Sequence, residues 1–132
     1  ESHLAKIDAA AEKLGKCQRL LLEVNVSGEE SKSGFAPQEV MGVLQRAKGL
    51  SHISIEGLMT MAPQGNSQAI IDTFSGLAQL KEAINAWLKK EDAYLLSALS
   101  MGMTEDWRVA VGFGTTIVRI GRAVFSDAFE EV

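Results

Sequence analysis

Apolar positions alternate along this chain between a helical rhythm and short β-type runs. From Ser2 to Leu14, the residues Leu4, Ile7, Ala11 and Leu14 repeat at helical spacing, and Lys6, Asp8, Glu12 and Lys13 fall elsewhere. Ser2 is placed to cap this helix and Gly15 to stop it. Leu20 to Val26 (LLLEVNV) is short, apolar and β-branched toward its end, which predicts a buried strand. Ser27 to Phe35 is a polar, glycine-bearing loop. Pro37 suits the first turn of a helix that runs to about Lys48, faces Val40, Val43, Leu44 and Ala47 inward, and ends at Gly49. Ile53 to Met61 is the second strand, and Pro63 to Asn66 a turn. Ser67 to about Lys90 is a long helix built on Ile70, Ile71, Phe74, Leu77, Leu80, Ile84 and Leu88. Gly76 inside it costs ~1 kcal/mol relative to alanine, which points to close packing there. Ala93 to Leu99 is the third strand, Glu105 to Val111 a short helix closed by Gly112 and Gly114, and Thr115 to Ile120 the fourth strand. The tail from Arg122 to Val132 has room for one more helical turn.

Strands separated by helices predict a parallel sheet with right-handed crossovers. In such folds ligands sit at the C-terminal ends of the strands. The polar and glycine-bearing groups here do follow the strands: Asn25-Val26-Ser27, Gly57-Leu58-Met59, Ser100-Met101-Gly102 and Arg119-Ile120-Gly121. The last two of these read as small-residue turns, with an arginine beside one of them. Main-chain N–H groups at two neighbouring strand ends, joined by a guanidinium, make a seat for a phosphate. A closed barrel places its phosphate site in the loops after its last two strands, which matches this pair.

Composition narrows the classes. The 132 residues suit a single unit spanning 1–132, and 46% hydrophobic with 23% charged is ordinary for a globular chain. A net charge of −4 with scattered basic residues excludes a general nucleic-acid binder. No apolar run is long enough to span a bilayer, and the first residues carry no secretory pattern. The single cysteine, Cys17, allows neither an internal disulfide nor a cysteine metal cluster, so a reducing cytoplasm is expected. His3 and His52 are too far apart to suggest zinc. The chain begins with Glu1 rather than methionine, which predicts a piece or processed product of a longer protein.

Four segments in order carry a family resemblance: 25–34 (NVSGEESKSG), 56–60 (EGLMT), 99–106 (LSMGMTED) and 114–121 (GTTIVRIG). Together they resemble the pyridoxal 5′-phosphate homeostasis family, from about the first helix to the end. The resemblance implies an α/β fold, a parallel (β/α)8 barrel of the alanine racemase N-terminal-domain type. The chain looks like the second half of it, about four βα units. It implies pyridoxal 5′-phosphate as cofactor and a carrier or regulatory role in vitamin B6 and amino-acid homeostasis, without turnover. The family's cofactor-bonding lysine lies upstream of Glu1, so no residue here corresponds to it. A half-barrel has two open edges. Completion by the N-terminal half of an intact protein is expected over completion by another copy.

The resemblance marks Ser100, Met101, Gly102, Arg119 and Gly121 as cofactor-binding, with Met59 lining the pocket. Physically, Ser100 offers a hydroxyl, the glycines let the main chain approach, and Arg119 offers charge-assisted hydrogen bonds. The alternative is that the glycines serve tight turns and Arg119 is a solvated or paired residue. An arginine at the ring nitrogen instead would suppress the electron-sink chemistry that catalysis needs. Met59 is either a pocket or a core residue, Thr116 a packing residue, and Asn25 with Ser27 either ligand contacts or loop closers. Lys32 lies on the ligand side, but Glu29 and Glu30 nearby predict an ion pair rather than a buried, low-pKa amine. Glu105 and Asp106 are expected to open a helix, where the dipole favours carboxylates. Trp107 is expected to pack, Cys17 to be inert, and Lys81, Lys89 and Lys90 to form a solvated face. The competing functions are a cofactor-dependent enzyme of the same fold, such as an amino-acid racemase, and a barrel enzyme acting on phosphosugars or nucleotides.

Overall fold

The computed structural model describes residues 2–30 and 32–125. Four parallel strands lie side by side in sequence order: β1 (Gln18–Glu23), β2 (Ile53–Met59), β3 (Ala98–Met103) and β4 (Ile117–Arg119). The helix α1 (Ser2–Lys13) precedes them, and α2 (Val40–Ala47), α3 (Ser67–Lys90) and α4 (Trp107–Gly112) make the crossovers. The expected alternation of helices and parallel strands is therefore present. The capping role expected of the Ser2 side chain, and the tail beyond residue 125, lie outside the described residues.

One face of the sheet carries the core. Leu22, Val24, Leu58, Leu99 and Met101 pack against Val40, Val43 and Leu44 of α2, Phe74, Leu77, Ile84 and Leu88 of α3, and Ala110 of α4. Of the helix faces expected for α2 and α3, Val40, Val43, Leu44, Phe74, Leu77, Ile84 and Leu88 are buried, Ala47, Ile70 and Leu80 are half-buried, and Ile71 is exposed. Gly76 does mark close packing: a Cβ there would meet the Val26 side chain at 2.8 Å. The opposite face of the sheet carries Arg19, Glu56, Ala98 and Ile117 along a shallow depression of about 310 Å³. A bidentate ion pair crosses it, with Arg19 Nε and Nη2 each 2.6 Å from a Glu56 carboxylate oxygen. That hydrogen bond, together with the carboxylate's charge, raises the Arg19 pKa further above its already high ordinary value.

The first strand lies at Gln18–Glu23 rather than Leu20–Val26 and the second ends at Met59 rather than Met61, and three further boundaries differ from the sequence pattern for local reasons. The third strand begins at Ala98 rather than Ala93. Asn85 on α3 takes hold of Leu96 first: its Oδ1 accepts from Leu96 N at 2.8 Å and its Nδ2 donates to Leu96 O at 2.9 Å. The run 93–96 is thus tied to α3 at Ala93 and Leu96, the first bond to β2 is Ser97 N to Glu56 O at 2.9 Å, and Ser100-Met101-Gly102 is strand, not turn. The fourth strand shrinks to Ile117–Arg119 because the Thr115 and Thr116 hydroxyls, rather than a regular ladder, join it to β3. The last helix starts at Trp107 rather than Glu105 because the Asp106 carboxylate turns back to accept from Met103 N at 2.6 Å.

Leu96 is buried, so removing the Asn85 amide strands two main-chain groups away from water. Asn85→Ala is expected to cost about 2 kcal/mol. The check is a lowered urea midpoint at unchanged slope. An unshifted midpoint would show that the 91–97 segment finds other partners.

Candidate ligand site at the strand ends

One guanidinium joins β4 to the end of β2 and to Ser100 within β3. Arg119, the last residue of β4, donates from Nη1 to Ser100 Oγ at 2.7 Å and lies 3.5 Å from Ser100 O. Its Nη2 lies 3.4 Å from Thr60 O. All three acceptors are neutral, and among the described residues no carboxylate lies within ion-pairing distance of Arg119. A half-buried cation held only by neutral dipoles retains its attraction for an anion. Beside it, an open cleft of about 340 Å³ is lined by Met103, Thr104, Arg119, Ile120, Gly121 and Arg122.

A buried hydroxyl and a half-buried one fix this geometry. Thr60 is 1% exposed; its Oγ1 donates to Val24 O at 2.7 Å and its main-chain N donates to Ser100 O at 3.1 Å. It ties the ends of β1, β2 and β3 into one register and presents its carbonyl to Arg119. Thr115 does the same between β3 and β4. Its single hydroxyl proton is shared among the carbonyls of Met101, Ile117 and Leu99 at 2.8, 3.0 and 3.1 Å. Neither threonine was singled out in the sequence, although both lie in segments that carry the family resemblance, 56–60 and 114–121.

The residues marked in advance separate by what surrounds them. Ser100 is buried, and its oxygen meets Arg119. The Met101 side chain is fully buried in the core, which leaves only its main chain for a ligand. Gly102 has φ +95°, and a Cβ there would lie 2.8 Å from the Ala110 Cβ and 2.9 Å from the Trp107 Cα. Its lack of a side chain is accounted for by the approach of α4. Gly121 is different: a Cβ there would meet nothing within 4 Å, and the residue lines the open cleft. Met59 is half-buried, outside the core cluster, next to core Leu58 on the strand. Thr116 bridges the strands, its Oγ1 accepting from Leu99 N at 2.9 Å.

The remaining candidates have structural partners. Asn25 closes its loop: Nδ2 donates to Glu29 O at 2.9 Å, and Oδ1 accepts from Gly28 N and Ser27 Oγ at 3.1 and 3.3 Å. Lys32 pairs with Glu29 at 3.8 Å. Glu105 pairs with Arg122 at 2.8 Å, and the Arg108 guanidinium covers the Trp107 ring at 4.6 Å. Cys17 is exposed. Among the described residues no cluster of acidic, histidine or cysteine side chains could hold a metal, and no helix is long and apolar enough to cross a membrane.

Residues 1–128 match the family described as alanine racemase, N-terminal domain. The chain belongs to that family. Its four parallel βα units are part of the family's (β/α) barrel architecture. An alanine racemase of Clostridium difficile 630, 17% identical, superposes with a TM-score of 0.68 over 92% of this chain and 31% of its own, which shows the shared fold. Closer in sequence is the Pyridoxal phosphate homeostasis protein of Haemophilus influenzae, 36% identical over 107 residues, or 80% of this chain and 44% of the relative. The structure of PipY from Synechococcus elongatus PCC7942 with PLP bound is 28% identical at a TM-score of 0.73, covering 92% of this chain and 55% of PipY. The chain spans about half the length of the relatives it matches.

Proposed function

We propose that this chain supplies the phosphate-holding side of a pyridoxal 5′-phosphate site, in a protein that carries the cofactor for vitamin B6 and amino-acid homeostasis rather than turning over a substrate. The observation that carries this reading is Arg119. It is a half-buried guanidinium pinned by neutral acceptors on Ser100 within β3 and Thr60 after β2, with no carboxylate at ion-pairing distance among the described residues, at the edge of an open cleft. The relatives named for pyridoxal phosphate homeostasis, and PipY with PLP bound, support the choice of ligand.

The donor set fits. A cleft of about 340 Å³ lies within the ~300–1,000 Å³ range of small-ligand sites. Gly121, whose open surroundings demand no glycine for packing, leaves room for the main chain to meet phosphate oxygens. Ser100 Oγ accepts from Arg119, which leaves the hydroxyl proton for a ligand oxygen. When bound, the cofactor supplies an aldehyde that condenses with amines and a ring that accepts electron density. Among the described residues, Lys32 is the one lysine in a loop that follows a strand, and Glu29 holds it. This chain therefore grips the ligand and leaves the bond to its aldehyde to a residue outside it. The protein acts inside the cytoplasm, as the single exposed thiol suggests.

The test is equilibrium binding to the intact protein of pyridoxal 5′-phosphate and of pyridoxal, which lacks the phosphate. Phosphate-dependent affinity of at least about tenfold is expected, roughly 1.4 kcal/mol. Equal affinities would overturn the reading. Racemase turnover above the solvent reaction would replace the carrier role with an enzymatic one.

A further inference from the structure

Arg122 lies on the rim of the cleft, opposite Arg119, and its circumstances differ. Its guanidinium is 2.8 Å from a Glu105 carboxylate oxygen, and both side chains are largely exposed, at 70% and 60%. The pair joins the turn after β4 to the β3–α4 loop. Arg122 and Met103 line both the main cleft and a smaller hollow of about 30 Å³ that also includes Glu105 and Asp106. The ion pair thus stands on the ridge between the two. The neighbouring carboxylate, Asp106, is buried and committed to Met103 N, so among the described residues Glu105 is the carboxylate that meets Arg122.

We propose that Arg122 is a second phosphate-binding arm of this site, held in reserve by Glu105 and released to the ligand's phosphate when the site fills. The proposal rests on the phosphate-holding role inferred for the cleft. Exposed ion pairs contribute little, because water and salt screen them and two long side chains must be held in place. A phosphate brings about two negative charges and several acceptor oxygens, which suit the planar guanidinium fork better than one solvated carboxylate. The exchange needs only a side-chain rotation at the surface. Glu105 then sets the strength of the site: it competes for Arg122 while the cleft is empty and adds a like charge beside the phosphate when it is full. The described residues that line the cleft include two guanidiniums, Arg119 and Arg122, and no carboxylate, which favours ligands with an anionic group.

Binding of pyridoxal 5′-phosphate and of pyridoxal to the intact protein tests this with Arg122→Gln, Arg122→Lys and Glu105→Gln, each checked by its thermal midpoint. Arg122→Gln is expected to weaken pyridoxal 5′-phosphate by about five- to tenfold and to leave pyridoxal unchanged. Arg122→Lys, which keeps the charge without the fork, recovers part of the loss. Glu105→Gln tightens the phosphate form by about threefold, and by less when Arg122 is already glutamine. A wild type without phosphate-dependent binding would sink the reading of the cleft and this proposal with it. A wild type with phosphate-dependent binding that Arg122→Gln leaves within twofold would sink the proposal alone. So would an equal loss for pyridoxal.

Discussion

Gly57→Ala is expected to destabilise the protein by about 3 kcal/mol, the upper end of overpacking costs. Gly57 lies in the middle of β2, paired with Ala98 of β3, and a Cβ built there would sit 2.1 Å from Ala98 O and 2.6 Å from its carbonyl carbon. Ordinary van der Waals contact begins more than an ångström farther out. The atoms in the way are main chain, so no rotamer change relieves the clash and the two strands must part. The position follows the irregularity where Leu20 pairs with Ile55 and Leu21 with Gly57, so β2 gains one residue over β1 at Glu56. That extra residue turns Glu56 to its ion pair with Arg19 and brings the β2 backbone onto β3. Against a total stability of roughly 5–15 kcal/mol, such a loss is large. Urea unfolding measures it as a drop in midpoint at constant slope. A midpoint equal to the wild type would show that β2 and β3 are not held this close.

Arg119→Gln is expected to weaken pyridoxal 5′-phosphate binding to the intact protein by about 30- to 100-fold. Hydrogen bonds to a charged partner contribute about 1.5–3 kcal/mol each, and the substitution also removes the cation that no carboxylate neutralises. Arg119→Lys keeps the charge but cannot reach Ser100 Oγ and Thr60 O together, because a single ammonium replaces the two-armed fork that now spans them. Its loss is expected to be about tenfold. A parallel titration with pyridoxal separates two geometries. If the guanidinium meets the phosphate, pyridoxal binding is unchanged. If it meets the ring, both ligands weaken together. Affinity for pyridoxal 5′-phosphate that stays within threefold of wild type would remove Arg119 from the site altogether. Charge accounts for much of the effect, so the wild type should lose affinity with rising salt more steeply than Arg119→Gln does.

The sequence by itself determined the class of the fold. Helical spacing in α1, α2 and α3, and short β-type runs between them, were enough for an alternating α/β chain, because each periodicity is set by the backbone of one element alone. The parallel sheet followed from the helical connections. A candidate site could be read there too: polar and glycine residues gather after the expected strands, where parallel architectures leave their main-chain groups open. Ser100, Arg119 and Gly121 could be marked from motifs, and the loop roles of Asn25 and Lys32 were among the alternatives the local residues allowed.

Only the tertiary structure decided how these residues are used. The start of β3 depends on Asn85, which lies on another element and competes with the ladder for Leu96. No propensity in 93–97 reports that contact. Gly102 and Gly121 look alike in a motif, yet one is required by the approach of α4 and the other opens onto a cleft. Thr60 and Thr115 are unremarkable as residues, and they matter because the fold brings main-chain carbonyls of neighbouring strands within reach of a buried hydroxyl at Thr60 and a half-buried one at Thr115. The same holds for charge. Arg119 and Arg122 lie three positions apart, and among the described residues the fold gives Arg122 a carboxylate partner and Arg119 none. Electrostatic role depends on neighbours in space and on distance from water, and neither is encoded in spacing along the chain.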